Sequence, residues 1–262
     1  MGTPMINPEQ ALLFTFLFLR ISAILIMIPV IGEGTVPLRV KGGMAILVSL
    51  LLFPTVHIKL PHLYSESEAE IFLLVIAMCS EVLIGIVIGF AAKIIFNGIQ
   101  FAGEMIGIQI GFSIVNVIDP ISNAQVSIIS QFQYIVALLI YLAVDGHHTF
   151  ILAIADSYRI ISPFAYHFSG SLMQHILVFS KELFVTAIKI SAPVMAVLLF
   201  TNVALGVMAR TVPQINIFIV GFPLQIAVGL TILGLTSPFF VKLVQGALSG
   251  LEIEVNALLR LM

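Results

Sequence analysis

Apolar runs separated by short polar stretches dominate the sequence. A helix needs about 20 apolar residues to cross the hydrocarbon core of a bilayer, and most of these runs reach or approach that length. The pattern predicts an all-α membrane protein with about six long hydrophobic helices. The runs cover residues 12–31, 42–56, 71–92, 126–144, 172–208 and 215–241.

Residues 93–111 have a different pattern, because polar side chains interrupt the apolar ones and glycine recurs at every fourth position. On a helix, four-residue spacing places these glycines on one face, where a neighbouring backbone can approach closely. We therefore predict an amphipathic, glycine-rich helix in addition to the hydrophobic ones. The glycines expected to pack against other helices are Gly85, Gly89, Gly103 and Gly107, with Gly111 continuing the same series.

The stretch after Gly111 is expected to leave the helix. A short mixed run, Phe112 to Asn116, follows it, and Asp119-Pro120 should stop the helix because proline disfavours a helical residue before it. Non-helical backbone at membrane depth is tolerated only inside protein or along a water-filled path. This segment is therefore the first candidate for a functional loop.

Composition confirms the membrane class and excludes several others. The chain has 262 residues, of which 60% are hydrophobic and 9% charged, whereas a soluble domain carries about 25% charged residues. The net charge of −2 gives no reason to expect nucleic-acid binding. A single cysteine excludes an internal disulfide. No cofactor is expected.

The few cations outside the runs predict an orientation through the lysine and arginine bias of short loops. They mark one side of the membrane, whereas the polar connections at 57–70 and 145–170 mark the other. This places the N-terminus outside, and with six spans the C-terminus outside too. No positively charged leader is evident, so no cleavable signal peptide is expected. The cations are Arg39, Lys41, Lys93 and Arg210.

Several charged residues fall within membrane-length segments. An unpaired charge at the bilayer centre costs at least ~2.5–3.5 kcal/mol, so each should pair, reach water or face protein. One interpretation is that these charges line a proton or ion pathway. We favour the other interpretation, in which they pair with charges of other subunits or snorkel to the membrane surface near the ends of the spans. The candidates for buried charges or partner contacts are Arg20, Glu81, Glu104, Lys181 and Glu182.

The sequence also allows two other classes of protein, a secondary transporter and an intramembrane enzyme. Pro193 and Pro223 fall within apolar runs and could break helices as in a secondary transporter, with Glu81 as the titrating group. An intramembrane enzyme is disfavoured, because no catalytic or zinc motif is present. His147 and His148 are adjacent, which is not the spacing of ligands on one helix face, and we expect them in a loop.

Three motifs resemble a known family. They are VPLRVK at 36–41, GEMIGIQIGF at 103–112 with Asp119-Pro120, and VPQINIF at 212–218 with Gly221-Phe222-Pro223. Together they are similar to the FliR/SctT family of type III secretion export-gate subunits, along nearly the whole chain. The Asp-Pro and Pro-Gln-Ile-Asn motifs favour the flagellar branch over the virulence (injectisome) branch.

The resemblance implies a subunit of the flagellar export gate, which passes unfolded flagellar proteins across the bacterial inner membrane. In this family one such subunit joins FliP and FliQ copies as helical hairpins within a hetero-oligomeric ring, inside the basal body, with FlhB and FlhA nearby. Residues 1–170 would be the FliP-like part, and 171–262 the FliQ-like hairpin. Membrane lipid is the remaining expected contact.

The resemblance also implies a channel plug. In the family a loop of this subunit is thought to close the channel, and here it corresponds to the stretch after the glycine series. The plug would comprise Phe112, Ser113, Ile114, Val115 and Asn116, with hinges at Gly111, Asp119 and Pro120.

Overall fold

The computed structural model describes residues 8–56, 68–112, 127–162, 169–214 and 216–262. Within these ranges the structure is helical and contains no strand, as the sequence predicts. The helices are α1 (Pro8–Met27), α2 (Leu38–Leu52), α3 (Glu68–Ile110), α4 (Ile128–Ala143), α5 (Gly146–Ile160), α6 (Gly170–Thr211), α7 (Ile217–Leu235) and α8 (Ser237–Leu261).

Two helices are far longer than a membrane span. α3 has 43 residues and α6 has 42, which at 1.5 Å per residue gives about 65 Å and 63 Å. The hydrophobic run at 71–92 and the amphipathic segment at 93–111 therefore belong to one helix, because no glycine–proline or turn signal separates them. Helix α6 continues through Pro193, and α7 continues through Pro223.

The structure does not confirm that the chain has six membrane-spanning helices. Among the described residues, α1, α3 from Ile71 and α6 are long and apolar enough to cross a membrane. The number rises to five if the bent pairs α4–α5 and α7–α8 each count as one span. The run at 42–56 forms only the 15-residue α2, and the expected polar connection at 145–170 contains a helix, α5.

The described residues form two compact units. The first comprises α1, α2, α3 up to Lys93, α5, the start of α6 up to Val178, and α8 from Gly250. Its core includes the fully buried Phe16, Leu17 and Ile24 of α1. Lys41 of α2 closes the α1–α2 turn by donating to the carbonyls of Gly32 (2.9 Å) and Glu33 (2.8 Å).

The second unit comprises the rest of α3, α4, α6 from Phe179, α7, and α8 up to Ser249. Its core is a cluster of aliphatic side chains from α3, α4 and α6. Phe96 of α3 adds edge-to-face contacts with Tyr134 and Tyr141 of α4, each with ring centroids 5.7 Å apart. The aliphatic cluster is Ile106, Ile110, Ile129, Val194 and Leu198.

Candidate functional site

Arg20 lies in the middle of α1 with no exposed surface. Its guanidinium binds Glu81 of α3 through two hydrogen bonds, Nε to Oε2 at 2.6 Å and Nη2 to Oε1 at 3.0 Å. This fork geometry is the strongest arrangement available to an arginine and a carboxylate. Glu81 is also fully buried, so the two charges neutralise each other away from solvent.

Two further arginine donors bind the segment around the end of α5. Nη1 donates to the Ser157 hydroxyl at 3.2 Å, and Nη2 donates to the Ile161 carbonyl at 3.2 Å. The guanidinium also stacks over the ring of Tyr158, 4.1 Å from its centroid. The Tyr158 hydroxyl in turn donates to the Leu17 carbonyl at 3.2 Å. One charge pair thus fixes α1, α3 and α5 to one another.

This network changes the interpretation of two of the predicted charges. Arg20 and Glu81 do pair, but with each other inside the chain rather than with another subunit. Sequence analysis did not identify Ser157 or Tyr158, because neither stands out within an amphipathic helix. Both carboxylate oxygens of Glu81 accept hydrogen bonds from Arg20, and the side chain has no surface exposed to solvent.

The first pair of glycines lies at the contact between α3 and α1. A Cβ on Gly85 would stand 2.6 Å from the Ala23 Cβ and 2.6 Å from the Arg20 carbonyl oxygen. A Cβ on Gly89 would overlap the Met27 Cβ. Because these distances are shorter than any real carbon contact, the two helices approach as closely as they do only with glycine at both positions.

The second pair lies at the contact between α3 and the start of α4. A Cβ on Gly103 would stand 2.8 Å from the Ser130 backbone nitrogen, and one on Gly107 would stand 3.0 Å from the Ser127 Cβ. The Ser130 hydroxyl donates to the Gln100 carbonyl at 2.9 Å across the same contact. Sequence spacing did not identify Gly98, which meets α6 at Leu183, or Gly229, which meets Ile110.

Helix α3 ends at Ile110, earlier than a stop at Asp119-Pro120 would give. Gly111 has a left-handed φ of 100°, its N–H donates to the Ile108 carbonyl at 3.1 Å, and the Phe112 N–H donates to the Gly107 carbonyl at 3.1 Å. These two bonds form a Schellman motif, which ends a helix where glycine occupies the left-handed position.

Only part of the predicted plug falls within the described residues. The Phe112 side chain packs against the aliphatic cluster of the second unit. The rest of the predicted plug and two of its hinges lie outside the described residues, namely Ser113, Ile114, Val115, Asn116, Asp119 and Pro120.

The other predicted charges lie towards the surface of the chain. Glu104 is half-buried and lines a shallow opening between α3 and α6, with Asn97 and Phe184. Lys181 and Glu182 are exposed on α6, and within the described residues neither forms an ion pair. Glu182 also lines a second opening, with Lys189 of α6 and Lys242 of α8.

The chain is similar to known export proteins along most of its length. Residues 11–251 match the family model described as "Bacterial export proteins, family 1". "Flagellar biosynthetic protein FliR" of Bacillus subtilis is 38% identical over 231 residues, covering 84% of each chain. The proteins of that name from Pectobacterium carotovorum and Escherichia coli are 32% and 28% identical, each match covering 86% of this chain and 84% of the relative.

Proposed function

The chain belongs to the bacterial export proteins, family 1, and we propose that it acts in the flagellar export apparatus, in the gate that passes unfolded flagellar proteins across the inner membrane. The observation that carries this proposal is the match over residues 11–251 together with relatives named as flagellar biosynthetic proteins. These names also favour the flagellar system over the virulence one. The role is that of a channel subunit and not of an enzyme.

The exposed charges support a subunit of a larger assembly. Four charged side chains are exposed on α6 and α8, namely Lys181, Glu182, Lys189 and Lys242. In lipid each would cost several kcal/mol or snorkel to the membrane surface, whereas polar groups of a neighbouring protein would neutralise it. Large apolar side chains on the same helices, such as Phe184 and Phe200, are also exposed. Both features fit a surface that other subunits cover.

We propose FliP and FliQ as these neighbours in a helical ring, with FlhB and FlhA beside it. The length of α3 and α6 supports this arrangement. Each is about twice as long as the ~30 Å hydrocarbon core requires, so much of each helix must contact protein or water.

The transporter alternative loses its support. It needs helices broken near Pro193 and Pro223, but α6 and α7 continue through these residues. It also needs a carboxylate that a transported ion can reach, whereas Glu81 is fully buried and hydrogen-bonded to Arg20.

We also propose that Phe112 to Asn116 form the channel plug, with hinges at Gly111 and Asp119-Pro120. The Schellman motif at Gly111 supports a defined point at which the chain leaves α3. The packing of Phe112 against the aliphatic cluster supports an anchored root for the loop.

The mass of the detergent-solubilised complex tests the assembly. The chain is co-expressed with the export-gate genes that neighbour its own, purified through a tag on this chain, and weighed by native mass spectrometry. We expect one large species that contains this chain once. A monomer or homodimer that lacks other subunits would contradict the proposal.

A matched pair of variants sharpens this experiment. Lys189→Glu reverses an exposed charge on the long helix α6 and should reduce incorporation into the complex. Arg260→Glu makes the same reversal at the exposed last turn of α8 and should leave incorporation unchanged. Equal effects of the two variants would count against partner contact at Lys189.

A further inference from the structure

The start of α5 brings together three side chains that can bind a metal ion. Asp145, His147 and His148 each place one ligand atom within 4.8 Å of the other two. The sequence suggested only adjacent loop histidines, but both occupy the first turn of a helix. We propose that these three residues form a binding site for a divalent transition-metal ion such as Zn²⁺.

The backbone places the Asp145 carboxylate beside the histidines. Asp145 is the N-cap of α5 with a left-handed φ of 55° and ψ of 30°, a conformation that aspartate adopts more readily than most residues. An N-cap aspartate usually accepts a hydrogen bond from the first helical turn, but the Asp145 side chain makes no such bond. Its Oδ1 lies 3.8 Å from Nδ1 of His148 instead.

The two imidazoles lie side by side, with ring centroids 4.3 Å apart and planes tilted by 44°. Nδ1 of His147 is buried and has no hydrogen-bond partner within the described residues. A buried nitrogen without a partner is costly, and bonding to a metal is one way to satisfy it. The side chains of Asp145 and His148 are 70% and 61% exposed, so both can rotate towards a shared ion.

The chemistry of the donors selects the kind of ion. Two imidazole nitrogens and one carboxylate suit Zn²⁺, Co²⁺ or Ni²⁺, whereas Mg²⁺ and Ca²⁺ prefer oxygen ligands alone. Zinc bonds to these donors are about 2.0–2.2 Å long, which places two ligand atoms of a tetrahedral site about 3.4 Å apart. Ligand atoms that lie within 4.8 Å of one another therefore need to close in by at most about 1.4 Å. Three protein ligands leave a position for water, and the bound ion would fix the first turn of α5.

The test is metal binding by the full-length chain, purified in detergent with a tag that contains no histidine. After treatment with a chelator, the protein is titrated with Zn²⁺ in competition with a chromophoric chelator, and with Co²⁺ followed by its visible absorption. We expect one ion per chain. The double variant His147→Gln/His148→Gln should weaken binding by about 100-fold and Asp145→Asn by about tenfold, because each removes a direct ligand and even the loss of an outer-shell partner costs about 10–100-fold.

His175→Gln is the matched control. His175 is half-buried, pairs with Glu254 at 3.0 Å and is not a member of the proposed ligand group, so its loss should leave Zn²⁺ affinity within about twofold of the wild type. Zn²⁺ should also raise the melting temperature of the wild type and of His175→Gln but not of the double variant. If both proteins are folded and bind Zn²⁺ with equal affinity, the proposal is overturned.

Discussion

At the scale of single residues, the buried pair of Arg20 and Glu81 is the feature with the largest energetic consequence. A buried ion pair adds little net stability compared with apolar residues of the same volume, but removing one partner leaves an uncompensated charge. Here that charge would lie within a segment long enough to cross the membrane. The pair is therefore a condition for α1, α3 and α5 to pack, and a structural element of the chain.

Replacing Glu81 by glutamine should destabilise the chain by about 3–5 kcal/mol, because the guanidinium stays buried without a negative partner. We expect a clear fall in the amount of chain in the membrane and in its melting temperature in detergent. The double variant Arg20→Met/Glu81→Leu replaces both charges by apolar groups and should recover most of this loss. A single variant as stable as the wild type would show that the pair is dispensable.

The sequence identified both residues as charges that had to be neutralised, since each interrupts an apolar run. It could not identify their partner, because 61 residues separate them and only the packing of α1 against α3 brings them together. Ser157 and Tyr158 were missed for the same reason, since their role arises only when α5 joins that contact.

At the scale of helices, glycine sets how closely α3 approaches its neighbours. Gly85 and Gly89 face α1, whereas Gly103 and Gly107 face the start of α4. Small residues let helix backbones come together in membranes, where packing replaces the hydrophobic effect as the driving force. The α3 glycines thus serve contacts inside the chain.

A matched pair of alanine variants tests this point. Gly85→Ala should lower the stability of the isolated chain by about 1–3 kcal/mol, because the new methyl group overlaps Ala23 and the Arg20 backbone. Gly250→Ala adds the same methyl group where nothing lies within 4 Å, and it should be neutral or slightly stabilising since alanine favours helix. Melting temperatures in detergent compare the two. Equal changes would refute close packing at Gly85.

These glycines also show what spacing can and cannot predict. Gly246 and Gly250 have the same four-residue spacing as Gly85 and Gly89, yet neither contacts another part of the described chain closely. Spacing reports which residues share a face but not what covers that face. Similarly, the sequence offered two points at which this helix could end, after Gly111 or at Asp119-Pro120, and the left-handed conformation of Gly111 ends it at Ile110.

At the scale of the whole molecule, the chain has the features of one subunit of a larger complex. Its all-α membrane class followed directly from hydropathy, because apolar runs of that length have few other stable solutions. The number of membrane spans could not be predicted from hydropathy. Two helices are longer than the bilayer is thick, and an apolar helix face has the same hydropathy whether it contacts lipid or a neighbouring protein. The proposed plug belongs to this scale, because a seal has meaning only in an assembled channel.

Deleting residues 113–116 tests the plug in the assembled complex. Phe112 is retained because its side chain packs against the aliphatic cluster of the second unit. We expect the complex to assemble at its normal mass but to conduct small ions when reconstituted in planar bilayers, since a dry apolar constriction would be lost. A complex of normal mass with unchanged conductance would exclude this segment as the seal.

The Arg20–Glu81 contact also implies a delay during biosynthesis, because Arg20 is synthesised before its partner Glu81. Ribosomes add about 5–20 residues per second, so Glu81 follows Arg20 by about 3–12 s. Ser157, which lies 137 residues after Arg20, follows it by about 7–27 s. During that interval α1 carries a guanidinium without its carboxylate, and lipid is a poor solvent for it. We therefore expect the insertion machinery to hold helix α1, or to leave it near the membrane surface, until α3 emerges and the two helices enter as a pair.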